Sequence, residues 1–251
     1  MLALVAAAVV ATTPAPQPAP SVSGSWPAEV IAAAQADCTR LLTGLDVTAK
    51  PLPPVGSADS CGAPAPVEVT AIAGVKLAPA ATLSCPMVAA LHHWVTDTLQ
   101  PLAQSMLATR VTSIANASSY VCRSRNHIAG AKISEHARAN ALDMASFTYA
   151  RADLPAGWAQ WLGADGKPVA GSFIERVRLG ACSDFTTVLG PGADVYHGDH
   201  FHLDVLARKN GEKATLDLKV QGLTPFVDGA RLLALAHGIE ANNTLERFRQ
   251  L

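Results

Sequence analysis

Tyr196-His197-Gly198-Asp199-His200-Phe201-His202-Leu203-Asp204 gathers three of the chain's eight histidines and two acids besides into one short stretch. From Phe201 to Val205 apolar and polar residues alternate, which is the period of a β-strand. Side chains at i and i+2 of a strand share a face, so His200, His202 and Asp204 are expected on one side and Phe201, Leu203 and Val205 on the other. Two imidazoles on one face suit a metal, or one imidazole on a metal and one moving protons. The plainer alternative is a solvated polar strand face, and a third ligand elsewhere in the chain decides between them.

Ser134 to Phe147 supplies that ligand. His136 and Asp143 lie seven residues apart, and Ala141 to Phe147 also reads as a strand, with Ala141, Asp143 and Ala145 on one face. If this strand pairs with Phe201–Val205, Asp143 and His202 converge, and His136 arrives from the loop before it. Two histidines and one carboxylate on zinc leave one position open, the ligand count of a catalytic site. A zinc so held acidifies water and polarises a carbonyl, which suits amide hydrolysis. His197 and His200 then remain to move a proton and to stabilise an oxyanion.

The rest of the chain sets limits on what it does. At 251 residues, 49% hydrophobic and 16% charged, it has ample material for a core. Its net charge of −1 offers no basic excess for nucleic acid. The apolar run from Met1 to Ala11 has the length of a signal-peptide core and is too short to span a bilayer, though it lacks a basic start. A Pro/Ala-rich spacer follows to residue 24. No other stretch is expected to cross a membrane. Five cysteines, none in a C-x-x-C pair, fit two disulfides and one spare thiol in an oxidising compartment. A Cys38–Cys61 bridge would close a loop in the N-terminal part, leaving Cys85, Cys122 and Cys182 to compete for the second.

Coarse patterning completes the reading. A helix is expected from Pro27 to Leu42 and a short strand pair over Val67–Val75. The strongest helix lies over Leu83–Leu99, capped by Ser84, with Val88, Leu91, Val95 and Leu99 on its buried side. His92 and His93 are expected there as surface or packing residues. Val111 to Asn126 is strand-like and ends in a basic turn with Arg123 and Arg125. Trp158 and Trp161 bracket a turn-like segment. A short helix over Phe173–Leu179 ends at Gly180, a further strand is expected over Ala214–Val220, and a helical stretch over Val227–Gln250.

Ser134-x-His136-x-x-Ala139-x-Ala141-x-Asp143 resembles the S-x-H-x-x-G-x-A-x-D signature of the LAS zinc peptidases, a group that includes lysostaphin-type enzymes, D-Ala-D-Ala peptidases and the hedgehog N-terminal domain. His197-x-x-His200-x-His202 is most similar to their penicillin-insensitive murein endopeptidases. Ser119-Tyr-Val-Cys-Arg, Ser134-Glu-His-Ala, Asn140-Ala-Leu-Asp, Thr187-Val-Leu-Gly-Pro-Gly and His197-Gly-Asp-His-Phe-His-Leu-Asp resemble the bacterial extensin-like C-terminal domain family still more closely, over about residues 30–208.

The resemblance implies an α+β fold in which an antiparallel sheet carries a zinc site and helices pack against it, as in hedgehog and DD-peptidase domains. It would occupy residues 25–222, with a helical extension over 223–251. It implies His136, Asp143 and His202 as zinc ligands, His200 as general base and His197 as a second catalytic histidine. Arg123 (or Arg125) would meet a substrate carboxylate or an oxyanion, and Ser134 would support the substrate site. The implied partners are peptidoglycan peptides and the implied location is the periplasm or exterior. A non-catalytic wall-binding module of the same fold is the alternative. Two departures stand out. Ala139 replaces the usual glycine, where φ > 0 is favoured. Asp199 precedes His202 by three residues, where carboxypeptidase relatives carry a glutamate.

Overall fold

The computed structural model describes residues 26–58 and 60–206. The signal-like segment, the Ala214–Val220 strand and the Val227–Gln250 helix lie outside the described residues. Helix α1 (Ala28–Leu42) leads to strand β1 (Val47–Pro51) and a small ribbon of β2 (Val55–Gly56) and β3 (Gly62–Ala63). Strands β4 (Val67–Ile72) and β5 (Val75–Leu83) follow, then α2 (Cys85–Trp94), a π-helical turn (Val95–Leu99) and α3 (Gln100–Leu107). Strands β6 (Val111–Ser118) and β7 (Ala141–Tyr149), helix α4 (Phe173–Gly180), and strands β8 (Thr187–Leu189) and β9 (Phe201–Asp204) complete the described fold.

Seven of the strands form one sheet in the order β1-β4-β5-β6-β7-β9-β8. It is an α+β arrangement with a mostly antiparallel sheet, and the exception is β5–β6, which run parallel. A parallel pair needs a long crossover, and the α2–α3 segment is that crossover. The hairpin β4–β5 turns at Ala73 and Gly74, with φ of 49° and 75°. Two central residues at positive φ give the turn whose twist matches the strands it joins, and the second is glycine.

The long helical segment is built as its spacing predicts. Ser84 caps α2 by accepting the Met87 N–H at 3.4 Å. Val88, Leu91, Val95 and Leu99 are all fully buried, together with Trp94. His93 is exposed, and His92 accepts the Asp46 N–H at 3.3 Å, so both are surface or packing groups. Phe147, Trp158, Phe173 and Phe201 join this core, with Trp158 stacked on Phe201 at 5.0 Å between ring centroids. Burying a side chain of this size contributes about 2–3 kcal/mol. The Trp158 stack also fixes β9 by its apolar face, and so fixes where the other face points.

Two disulfides are formed, Cys38–Cys85 and Cys61–Cys122, and Cys182 is an exposed free thiol. The Cys38–Cys61 pairing is therefore not made. α1 packs on α2, which sets Cys38 against the first residue of α2 at a Cα separation of 5.1 Å. Cys61 lies beside the β2–β3 ribbon and ties it to the segment that carries Arg123. That bridge spans 61 residues of sequence, a closure that stabilises by about 4 kcal/mol through the unfolded chain. Replacing Cys61 and Cys122 together by alanine is expected to lower the urea midpoint by more than about 1 M. An unchanged midpoint would show that the bridge carries little of the stability.

Candidate metal centre

The pairing of β7 with β9 builds the centre. Asp143 lies directly opposite His202 in the antiparallel register, flanked by Leu142 opposite Leu203 and Met144 opposite Phe201. The alternation read from the sequence holds: Phe201 and Leu203 enter the core, while His202 and Asp204 share the other face. That face is not solvated. His202 and Asp204 retain 8% and 5% of their accessible surface, so the plainer alternative does not describe it. His200 precedes the strand and reaches the same place, with Nε2 3.9 Å from Asp143 Oδ1.

His136 enters on a short 3-10 turn, Glu135–Arg138. Ser134 caps this turn, its buried Oγ accepting the His136 N–H at 3.4 Å. The turn ends at Ala139 in the left-handed region, φ 57°. The position does require positive φ, and this chain meets it with a Cβ at a cost of about 1–2 kcal/mol. Two bonds hold the turn against the rest of the fold. The Ser84 hydroxyl donates to Asn140 Oδ1 at 2.7 Å, and Asn140 Nδ2 donates to the buried Glu135 carboxylate at 3.2 Å.

His136, Asp143 and His202 thus meet as a buried group able to hold a metal ion. His136 Nε2 is 3.1 Å from His202 Nδ1 and 3.1 Å from Asp143 Oδ1, and His202 Nδ1 is 2.8 Å from Asp143 Oδ1. The outer nitrogens fix the tautomers. His136 Nδ1 donates to the Ser119 carbonyl at 2.7 Å, and His202 Nε2 donates to Asp204 Oδ2 at 3.2 Å. Both partners are acceptors, so the protons sit on the outer nitrogens and leave the inner ones bare. Three lone pairs then face one another, an arrangement that needs a positive charge between them. Donors in a tetrahedral zinc site stand about 3.3 Å apart, close to this triangle. Outer hydrogen bonds of this kind are also what orient metal-binding histidines. The donor set therefore fits a divalent cation bound by two imidazoles and one carboxylate.

Without the cation, a proton serves. Burial opposes charge at both groups, yet hydrogen bonds overcome it. Bonds with His136 and His202 hold the Asp143 carboxyl below its usual range, and bonds with Asp143 and Asp204 push His202 up to about 9. Raised from 6.5, His202 stabilises the metal-free fold fully below pH 6.5, and this is lost as pH rises through about 9. Depressed from 3.8, Asp143 stabilises it above pH 3.8, and this is lost as pH falls further. A divalent cation and a proton would compete for His202, so metal affinity is expected to rise about tenfold per pH unit between pH 6 and 8. Competition titration with a chelator of known affinity at three pH values measures this, and an affinity independent of pH would contradict it.

The remaining predicted residues surround the trio. Arg123 Nη2 lies 3.8 Å from Asp143 Oδ2 and is largely covered. Arg125 is exposed in the turn beyond it. His197 sits with its ring centroid 5.7 Å from His202 and 5.1 Å from His200. Asp199, whose part the sequence leaves open, accepts from His200 Nδ1 at 2.9 Å, its own side chain 93% exposed. It orients His200 from the solvent side. Three partners escape sequence reasoning: the Ser119 carbonyl, which carries no side-chain signal, Asp204 as the outer partner of His202, and Asp194, which bonds His197 Nδ1 at 2.6 Å. The D-x-x-H spacing of Asp194 and His197 is the one available hint of the last.

The family model described as extensin-like protein C-terminus matches residues 36–215. The chain belongs to that family. The match takes in every residue of the trio, both disulfides, and His197, His200 and Arg123. A second model, for a proposed nucleotidyltransferase substrate binding domain, matches residues 198–251. It covers less than half the chain, falls mostly outside the described residues, and overlaps the extensin-like match on β9. No curated protein and no solved structure matches the chain. Two disulfides fit an oxidising compartment, and no helix among the described residues is long and apolar enough to cross a membrane.

Proposed function

We propose that this extensin-like domain is a zinc-dependent peptidase of the cell envelope, acting on peptidoglycan stem peptides or cross-links. The observation that carries the reading is the convergence of three bare donor atoms, one short of a tetrahedral set, beside two further histidines and an arginine. The motif resemblance to murein endopeptidases of the LAS group supports the substrate class. The disulfides and the apolar N-terminal run support the location.

His136 Nε2, Asp143 Oδ1 and His202 Nδ1 would hold the zinc. When bound, zinc supplies Lewis-acid polarisation of a carbonyl and acidifies water. The work of the chain's own groups follows from their placement. His200, held at Nδ1 by Asp199, presents Nε2 to take a proton from the attacking water and return it to the leaving amine. His197 turns Nε2 toward the scissile carbonyl and, as the imidazolium that carries a proton on both ring nitrogens, would donate to the oxyanion that develops there. Arg123 pairs with a carboxylate of the peptide, since its guanidinium already faces an acid at the rim of the trio.

The test is digestion of purified murein by zinc-loaded protein, with soluble fragments separated and identified by mass. Release of stem-peptide fragments that stops on chelation is the expected result. Murein that binds the protein but stays intact after long incubation would overturn the peptidase reading in favour of a wall-binding module.

A further inference from the structure

Asp194 belongs to neither the metal trio nor the roles proposed above, yet it is the most heavily bonded acid beside the centre. Its Oδ1 accepts the Tyr196 N–H at 2.9 Å, the His197 N–H at 3.1 Å and His197 Nδ1 at 2.6 Å. The two backbone bonds form a side-chain-closed turn over residues 194–197. That turn fixes the carboxylate relative to the backbone, and the third bond fixes the imidazole relative to the carboxylate. Because the acceptor is a carboxylate, the proton sits on Nδ1 and leaves Nε2 as the working nitrogen. Among the described residues no group bonds His197 Nε2.

The approach to this turn is also built into the fold. A Cβ at Gly190 would lie 2.6 Å from the Phe201 ring, so glycine lets the 190–194 segment lie directly against β9. The segment leaves β8 and carries Asp194 to the His197 side of the trio. The neighbouring acid offers a contrast. Asp199 also bonds an imidazole, but its side chain is 93% exposed, whereas Asp194 is 39% exposed and His197 only 10%. A charge-assisted bond shielded from water holds its geometry more strongly than an exposed one.

We propose that Asp194 is a positioning residue: it holds His197 as the Nδ1–H form and so leaves Nε2 as the nitrogen available beside His200 and His202. The geometric claim stands without the peptidase reading, while its consequence for turnover rests on that reading. In the zinc-loaded full chain, Asp194→Ala is expected to release His197 from the Nδ1–H form, seen in long-range ¹⁵N–¹H spectra of the imidazole. It is expected to lower kcat on murein fragments about ten- to a hundredfold, with KM within about twofold and zinc content unchanged. Asp194→Asn keeps an acceptor oxygen in the same place, so it should retain the Nδ1–H form and recover part of kcat. The second variant also serves if the alanine variant folds poorly. A His197 tautomer unchanged in both variants would overturn the proposal, as would an Asp194→Ala enzyme with wild-type kcat. If the wild-type protein cleaves nothing while the tautomer still depends on Asp194, the positioning role stands and the peptidase reading falls.

Discussion

Replacing His202 by alanine is expected to lower zinc affinity by roughly two to three orders of magnitude. Structural zinc sites bind with about 10–16 kcal/mol from four ligands, so one lost ligand costs on the order of 3 kcal/mol. Losing His202 removes one donor of the triangle and leaves His136 and Asp143 3.1 Å apart. Its removal leaves Asp204 buried without its imidazole partner, which costs stability of about 1–3 kcal/mol. Metal-free melting of wild type and variant therefore has to accompany the titration. The expected pattern is a modest loss of metal-free stability and the disappearance of zinc-induced stabilisation. A variant still stabilised by zinc as strongly as wild type would place the metal elsewhere.

The second large effect separates chemistry from metal binding. His200→Ala is expected to reduce murein-fragment turnover by about 10²- to 10⁴-fold while zinc affinity stays within about threefold. The geometry gives the reason. His200 is outside the trio, with Nε2 3.9 Å from the nearest Asp143 oxygen, and its other nitrogen is held by Asp199. On the proposed reading, a group so placed would exchange protons with water at the metal without completing the ligand set. If His200→Ala lost zinc together with activity, His200 would instead be a fourth ligand, and the general-base role would have to pass to another group. Asp199→Asn is the milder companion, since the exposed carboxylate orients His200 from solvent and is screened by it.

These expectations rest on features that the sequence shows unequally. The alternation in Phe201–Val205 and in Ala141–Phe147 places side chains on faces because strand geometry leaves no other choice. Two such strands of opposite direction bring Asp143 and His202 face to face. His136 is legible as well, from its place seven residues before Asp143 in the loop ahead of that strand, whereas the Ser134 cap and the positive φ of Ala139 are seen only in the structure. Ala139 shows that the turn survives the added Cβ.

What was not legible depends on contacts between distant segments or on the backbone itself. The parallel β5–β6 pair follows from the α2–α3 crossover, and nothing within either strand announces it. Cys38 pairs with Cys85 because α1 lies on α2, a packing outcome that cysteine spacing does not encode. The Ser119 carbonyl that fixes the His136 tautomer belongs to the chain backbone and would be there with any residue at that position. Asp194 lies in a turn whose composition suggests only a loop, and its role appears once His197 is placed against it.

The claim on which the rest depends is that His136, Asp143 and His202 form one mononuclear zinc centre. Metal analysis of the purified chain, stripped with chelator and reloaded with zinc, tests it most directly, with His202→Ala treated in parallel. One zinc per wild-type chain and none retained by the variant is the predicted result. No zinc in reloaded wild type, or equal zinc in both proteins, would contradict it.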